Sequence, residues 1–393
     1  MSSNLRILQM HNRYQQAGGE DMVVEAERSV LRARGQVVEL LEKDNHTISG
    51  IKQRLVTAVD APYSNTSRQE VKRALLQYSP DVVHVHNFFP LLTPSVYDAC
   101  REAGVPVVQT LHNYRLICPG ALLMRGGRVC EDCVNGSAYQ SVLHGCYRGS
   151  RLGTLAVARM VEFHRKRRTW HDKVDRFIAL TEFAKSKYIE AGFPREKIAV
   201  KPNFVSDAPI EGKENDWQER AGALFVGRLS AEKGVTTLLR AWEQSDIPLR
   251  IVGDGPLRGI VERGGNGLVT PMGQLPSGEV GIEMRKARFL VMPSECYEMF
   301  GLVIIESYSN GLPVIASRLG SMAELVEDGV TGLHFEPGDA DDLAAKVKWL
   351  ADRPDLCRRM GENARRVYEE KYTPQRNYEI LMTIYRRAIE ARQ

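Results

Sequence analysis

Phe289-Leu290-Val291-Met292-Pro293-Ser294-Glu295-Cys296-Tyr297-Glu298-Met299-Phe300-Gly301-Leu302-Val303-Ile304-Ile305-Glu306 reads as an apolar strand, a polar loop past Glu298 and a helix that begins near Gly301. Ser307-Tyr308-Ser309-Asn310-Gly311-Leu312-Pro313-Val314-Ile315-Ala316 carries the chain on to a second apolar strand. Strands joined through a helix run parallel, and strands apolar along their whole length lie in a sheet covered on both faces. The same alternation recurs outward from this segment. Ala223–Val226, Leu249–Val252 and Gly267–Pro271 precede it, and Gly332–Phe335 follows. An earlier series holds Leu5–Met10, Val37–Leu41, Val82–His86, Pro106–Leu111, Arg176–Leu180 and Ile198–Lys201. The expected class is α/β, with two Rossmann-like, doubly wound parallel-sheet domains. Pro202 to Pro209 and the polar stretch to Arg220 read as the linker. The division is 1–204 and 205–374, with a final helical pattern, 375–393, free to pack back on the first domain.

The 393 residues suit two domains of roughly 150–200 residues each. A chain 43% hydrophobic and 26% charged is globular, which excludes a disordered chain, a coiled coil and a collagen-like fibre. No apolar run approaches the roughly 18–20 residues of a membrane span. Met1 to Arg6 lacks the basic-then-apolar pattern of a secretory leader. Seven cysteines, an odd number, fit a reducing compartment better than a disulfide framework, so the expected location is cytoplasmic.

A formal charge of +4 is too small to argue for nucleic acid, and no such partner is expected. Its distribution says more. Residues 1–200 hold 28 basic and 20 acidic side chains, and residues 201–393 hold 25 and 29. The densest basic stretch, 148–173, carries Arg148, Arg151, Arg159, Arg165, Lys166, Arg167, Arg168 and Lys173 against Glu162 and Asp172. Leu152, Leu155, Val157, Met160, Val161, Phe163 and Trp170 give it an apolar face. Two readings are open. One is a helix on an anionic membrane surface; the other is a solvated helix packed on its own domain.

Open parallel sheets bind ligands beyond the carboxyl ends of their strands. Gly18-Gly19 follows the first strand of the first domain, and Gly227 and Gly253-Asp254-Gly255-Pro256 follow strands of the second. None completes G-x-G-x-x-G, so a dinucleotide reading is weak. Arg228 and Lys233, five residues apart in one loop, suit the two ends of a diphosphate, although such charges in isolation are usually solvated. Free N–H groups at the helix start near Gly301 suit an anion. Glu306 falls on a partly apolar helix face, where a carboxylate needs a hydrogen-bond donor such as a sugar hydroxyl, or a structural partner.

Glu298 and Glu306 form an E-x7-E pattern. Together with Pro293-Ser294, Phe300-Gly301-Leu302, Gly311-Leu312-Pro313-Val314-Ile315-Ala316, Glu324, Gly332, Gly227-Arg228 and Lys233-Gly234, it resembles retaining GT-B glycosyltransferases, specifically glycosyltransferase family 4 of the bacterial polysaccharide type. The resemblance covers nearly the whole chain, most specifically 222–337. Met299 and Ser307-Tyr308-Ser309 depart mildly, touching packing rather than chemistry. The resemblance implies a GT-B fold, two domains facing across a cleft, with the acceptor on the N-terminal side. It implies a UDP- or GDP-sugar co-substrate, retention of anomeric configuration and no catalytic metal. Arg228 and Lys233 then stabilise the leaving diphosphate, helped by backbone amides at Gly301 and Leu302. Glu306 bonds the ribose, Glu298 contacts hydroxyls of the transferred sugar, and Gly18-Gly19 approaches the diphosphate and acceptor. His112, after the strand Pro106–Leu111, matches the family histidine beside the anomeric carbon; otherwise it is a strand-end histidine satisfied locally. His86 stands as an acceptor contact on equal terms with a structural role.

Cys118, Cys130, Cys133 and Cys146 fall within an insertion spanning about 113–150. Cys130-Glu131-Asp132-Cys133 has metal-ligand spacing, and four thiolates in a small irregular segment suit a structural zinc. Two disulfides or free thiols are the alternatives. The insertion resembles that of some bacterial polysaccharide glycosyltransferases and is expected to shape acceptor choice. The acceptor implied is a glycan on a polyprenyl diphosphate carrier, met by a peripheral protein at the inner membrane face. A GT-B sugar-nucleotide epimerase and a non-catalytic GT-B binding protein are the rival readings.

Overall fold

The computed structural model describes residues 4–14, 18–207, 217–264 and 267–392. The chain forms two compact units. The first comprises Met1–Leu123, Cys130–Pro202 and Asn377–Gln393; the second comprises Met124–Val129 and Asn203–Arg376.

The first unit holds β1 (Arg6–Arg13), β2 (Val37–Asp44), β3 (Val82–Val85) and β4 (Val107–Thr110). It also holds β7 (Arg176–Ala179) and β8 (Ile198–Val200); the small hairpin that precedes them in sequence, β5 (Met124–Arg125) and β6 (Arg128–Val129), belongs to the second unit. The sheet order is β2-β1-β3-β4-β7-β8, parallel throughout. The order reverses between β1 and β3, the crevice where an open sheet receives a ligand. From Asn377 onward, the helix Pro374–Glu390 belongs to this unit. Its Leu381, Met382, Ile384, Tyr385 and Ala388 recur at helical spacing and pack on Ile7, Val38, Val82, Val108 and Ile178.

The second unit holds β9 (Ala223–Val226), β10 (Leu249–Val252), β11 (Val269–Gly273), β12 (Phe289–Met292), β13 (Val314–Ser317) and β14 (Gly332–Phe335). Their order is β11-β10-β9-β12-β13-β14, again parallel. The reversal falls between β9 and β12, so the Gly227–Gly234 and Pro293–Gly301 loops emerge side by side. Phe225, Trp242, Phe289, Ile315, Leu333 and Phe335 fill the core.

The two expected parallel sheets are present. The stretch 148–173 is not one helix: Arg151–Lys166 and Thr169–Asp172 are separate, and Arg168 between them is left-handed, with φ +49°. Residues 208–216 of the expected linker lie outside the described residues. No helix among the described residues is long and apolar enough to cross a membrane.

Candidate active site

In the second unit the loop after β9 meets the loop after β12. Gly234 has φ +68°, and a Cβ there would lie 1.8 Å from the Pro293 carbonyl oxygen, so only glycine lets the loops touch. The Glu295 amide donates to the Glu232 carbonyl at 2.9 Å, and the Thr237 hydroxyl donates to Glu295 Oε1 at 2.6 Å. That seam brings Lys233 Nζ to 2.6 Å from Glu298 Oε1, which also accepts from Ser294 Oγ at 2.8 Å. The side chains are 29% and 13% exposed. Burial alone would lower the Lys233 pKa; the adjacent Glu298 carboxylate outweighs it and holds the ammonium above its usual value. Glu298 Oε2 has no partner among the described residues.

Arg228 is exposed and likewise has no partner among them. Gly301 takes φ +80° and caps the helix Leu302–Ser309, whose first amides have no intrahelical acceptor. They point beyond the strand ends with the positive pole of the helix dipole. Glu306, one turn on, has no side-chain partner among the described residues, and burial pushes its carboxyl up. Lys233 and Glu298 thus touch, while the side chains of Arg228 and Glu306 have no partner among the described residues. Gly253 follows β10, but its amide is committed to the Gly273 carbonyl at 2.8 Å.

In the first unit, Gly18 and Gly19 open the helix Gly19–Ala33, and the Gly18 amide donates to Asp21 Oδ2 at 3.0 Å. Residues 15–17 of that turn lie outside the described residues. His11 Nε2 stands 2.7 Å from Asp21 Oδ1, and the Tyr14 hydroxyl donates to Glu20 Oε2 at 3.0 Å. His112 follows β4 and lines a small pocket with His86, Asn87, Phe89, Asn113 and Arg115. His112 Nε2 lies 3.0 Å from His86 Nδ1, with the rings stacked. Burial, then repulsion from neighbouring histidines, holds both rings neutral; His86 falls to about 3 and His112 well below its usual value.

Behind His86 lies a charge pair that the sequence reading missed. Glu27 and Lys201 are each 1% exposed and 3.1 Å apart. Burial would push the Glu27 carboxyl up; Lys201 and then His84 reverse this and hold it well below the usual range. The available signal was two histidines, His84 and His86, on one face of an otherwise apolar strand. Among the described residues, Glu27, His84 and His86 are the group of ligand atoms close enough to hold a metal, within 4.8 Å of one another. The Lys201 ammonium occupies the place of a cation there.

None of Cys118, Cys130, Cys133 and Cys146 is joined in a disulfide. Burial, then the nearby Cys118, Cys146 and Cys130, pushes Cys133 up to about 12. The four are thus within electrostatic reach of one another, but their sulfurs are not drawn into a closed cage. The zinc expectation accordingly finds a gathered set of ligands without preformed coordination.

Residues 6–208, just over half of the chain, match Glycosyltransferase Family 4, and residues 209–367 match Glycosyl transferases group 1. Alpha-D-kanosaminyltransferase of Streptomyces kanamyceticus is 31% identical over 59% of this chain and 64% of its own. O-antigen chain mannosyltransferase C of Escherichia coli is 31% identical over 45% and 50%. The chain spans less than two thirds of the length of the curated relatives named here, 64% of the kanosaminyltransferase and 41% of a Methanocaldococcus jannaschii glycosyltransferase. Sucrose-phosphate synthase of Thermosynechococcus elongatus superposes with a TM-score of 0.72 at 19% identity, covering 98% of this chain and 99% of its own. Anabaena HepE, solved with UDP, gives 0.68 at 18%, covering 97% and 99%. These structures share the GT-B glycosyltransferase fold of two Rossmann-like sheets.

Proposed function

Because the chain belongs to glycosyltransferase family 4, we propose that it transfers a sugar from a UDP- or GDP-sugar to a glycan or polyprenyl-linked acceptor, with retention and without a catalytic metal. The observation that carries this is the Lys233–Glu298 pair at the strand-order reversal of the second unit, beside a partnerless Arg228 and the free amides of the helix after Gly301. Departure of a nucleotide diphosphate builds negative charge there. Arg228, Lys233 and the amides of Gly301 and Leu302 stabilise it. Glu298 Oε2 accepts from a hydroxyl of the transferred sugar. Glu306, whose charge is disfavoured by burial, gains most from a donor such as the ribose hydroxyls. The Gly18-Gly19 turn approaches the diphosphate and acceptor, and His112 stands beside the anomeric carbon. The acceptor hydroxyl attacks from the leaving-group face and gives its proton to the departing phosphate.

Lys233→Ala is expected to lower turnover by about 10²–10³-fold. Arg228→Ala, at an exposed partnerless position, tests the same assignment free of any folding effect. Near-normal turnover in both removes the diphosphate assignment. Donor consumption that needs no acceptor points to epimerisation instead. The reading includes a structural zinc on Cys118, Cys130, Cys133 and Cys146, since a divalent cation offsets the mutual repulsion of gathered thiolates. Metal content well below one zinc per chain, in protein purified without chelator, removes that part. The acceptor's lipid carrier places the protein peripherally on the cytoplasmic membrane face, in contact through the 148–173 region and its neighbour, the helix Gly50–Asp60.

A further inference from the structure

The buried charge pair of the first unit has a direct path to His112. Lys201 Nζ lies 3.1 Å from Glu27 Oε2. On the other carboxylate oxygen, Oε1, converge Gln9 Nε2 at 3.3 Å, His84 Nδ1 at 3.1 Å and His86 Nε2 at 3.4 Å. His86 Nδ1 then reaches His112 Nε2 at 3.0 Å. His112 Nδ1 has no partner among the described residues and belongs to a ring lining the pocket.

The sign of the carboxylate dictates where each proton sits. An imidazole nitrogen facing an ionised oxygen must carry hydrogen, because a bare lone pair there is repelled. His86 is therefore protonated on Nε2. Being neutral, it is bare on Nδ1, and a bare Nδ1 at 3.0 Å requires His112 to donate through Nε2. His112, also neutral, is left with a bare Nδ1. The opposite polarity would need Gln9, at 3.4 Å from His86 Nε2, to donate there instead. Both contacts to His86 Nε2 are 3.4 Å long, and the ionised Glu27 oxygen favours a hydrogen on the nitrogen that faces it.

We propose that Lys201, Glu27 and His86 are positioning residues that lock His112 as a hydrogen-bond acceptor, with Nδ1 bare and aimed at a substrate hydroxyl. His112 then receives a proton in hydrogen bonding and does not deliver one. This rests on the proposed placement of His112 against the sugar, and the tests separate the two claims.

Histidine ¹⁵N resonances of the full chain, with His112 assigned by its loss in His112→Gln, read the tautomer without any reaction. The expected result is a pyridine-like Nδ1 and a protonated Nε2 at neutral pH. His86→Leu should release the lock, mixing the His112 tautomers and lowering kcat by about tenfold or more, with donor KM near its original value. His86→Gln, which can accept from His112 and donate to Glu27, should restore most of both. A protonated Nδ1 in the parent protein, or an unchanged His112 tautomer in folded His86→Leu, overturns the proposal. Full turnover in His112→Ala would instead remove the substrate contact while leaving the tautomer result intact.

Discussion

Glu20 opens the helix Gly19–Ala33 with its side chain 10% exposed, and burial pushes its carboxyl from 4.5 up to about 7. Between those values the folded protein holds a proton that the unfolded chain has released. Stability from this group is therefore full below about pH 4.5 and is lost as pH rises toward 7, by about 3 kcal/mol at 1.36 kcal/mol per pH unit. Glu20→Gln should remove that slope and be the more stable protein above pH 7. His86, lowered to about 3, and His164, lowered to about 4, act in the opposite sense below their unfolded value. The difference in urea midpoint between variant and parent, across about pH 5 to 8, is accordingly the readout; a difference independent of pH refutes the assignment. Residues of this kind show how far sequence reaches. Glu298, Glu306, Arg228 and Lys233 could be named as candidates because each pair is close in sequence, Arg228 and Lys233 within one loop and Glu298 and Glu306 within one loop and the helix after it. Glu27 and Lys201, 174 residues apart, were not, since only tertiary pairing makes either one matter.

Among the elements, β9, β10, β12 and β14 begin and end where their apolar runs do. Strands buried on both faces carry their limits in composition. The edge strand β2 and its neighbour β1 run further than expected, to Asp44 and Arg13, because pairing continues through polar residues. Backbone bonding there is indifferent to side-chain polarity. The basic stretch shows the opposite failure. A left-handed Arg168 divides it, and nothing in Arg165-Lys166-Arg167-Arg168 announces that turn. Its cations are also partly spoken for. Arg165 donates to the Gly136 and Cys133 carbonyls, and Lys173 pairs with Asp98. The adjacent helix Gly50–Asp60 buries none of its residues, a fact invisible in its ordinary apolar spacing.

At the scale of the whole chain, the charge of +4 divides into an excess of eight positive charges over residues 1–200 and four negative over the rest. Within the basic part, Ile51, Leu55 and Val59 are 78%, 61% and 63% exposed on one side of Gly50–Asp60. That helix packs beside Arg151–Lys166, which exposes Leu152. Lys52, Arg54, Arg148, Arg151 and Arg159 are exposed on the same two elements and their approach. Apolar side chains contribute about 1.5–3 kcal/mol each when fully buried, against about 1 kcal/mol per cation near anionic lipid. The apolar ridge, more than the Arg165–Arg168 cluster, should therefore govern membrane affinity. Leu55→Asp with Val59→Asp changes only exposed positions and should leave the melting temperature unaltered. Sedimentation with vesicles containing anionic phosphatidylglycerol should show parent protein bound, the double variant largely free, and both free from neutral phosphatidylcholine vesicles. Equal binding of parent and variant refutes the membrane role. A change from dimer to monomer in the variant, without any lipid dependence, assigns the ridge to a second copy of the chain instead.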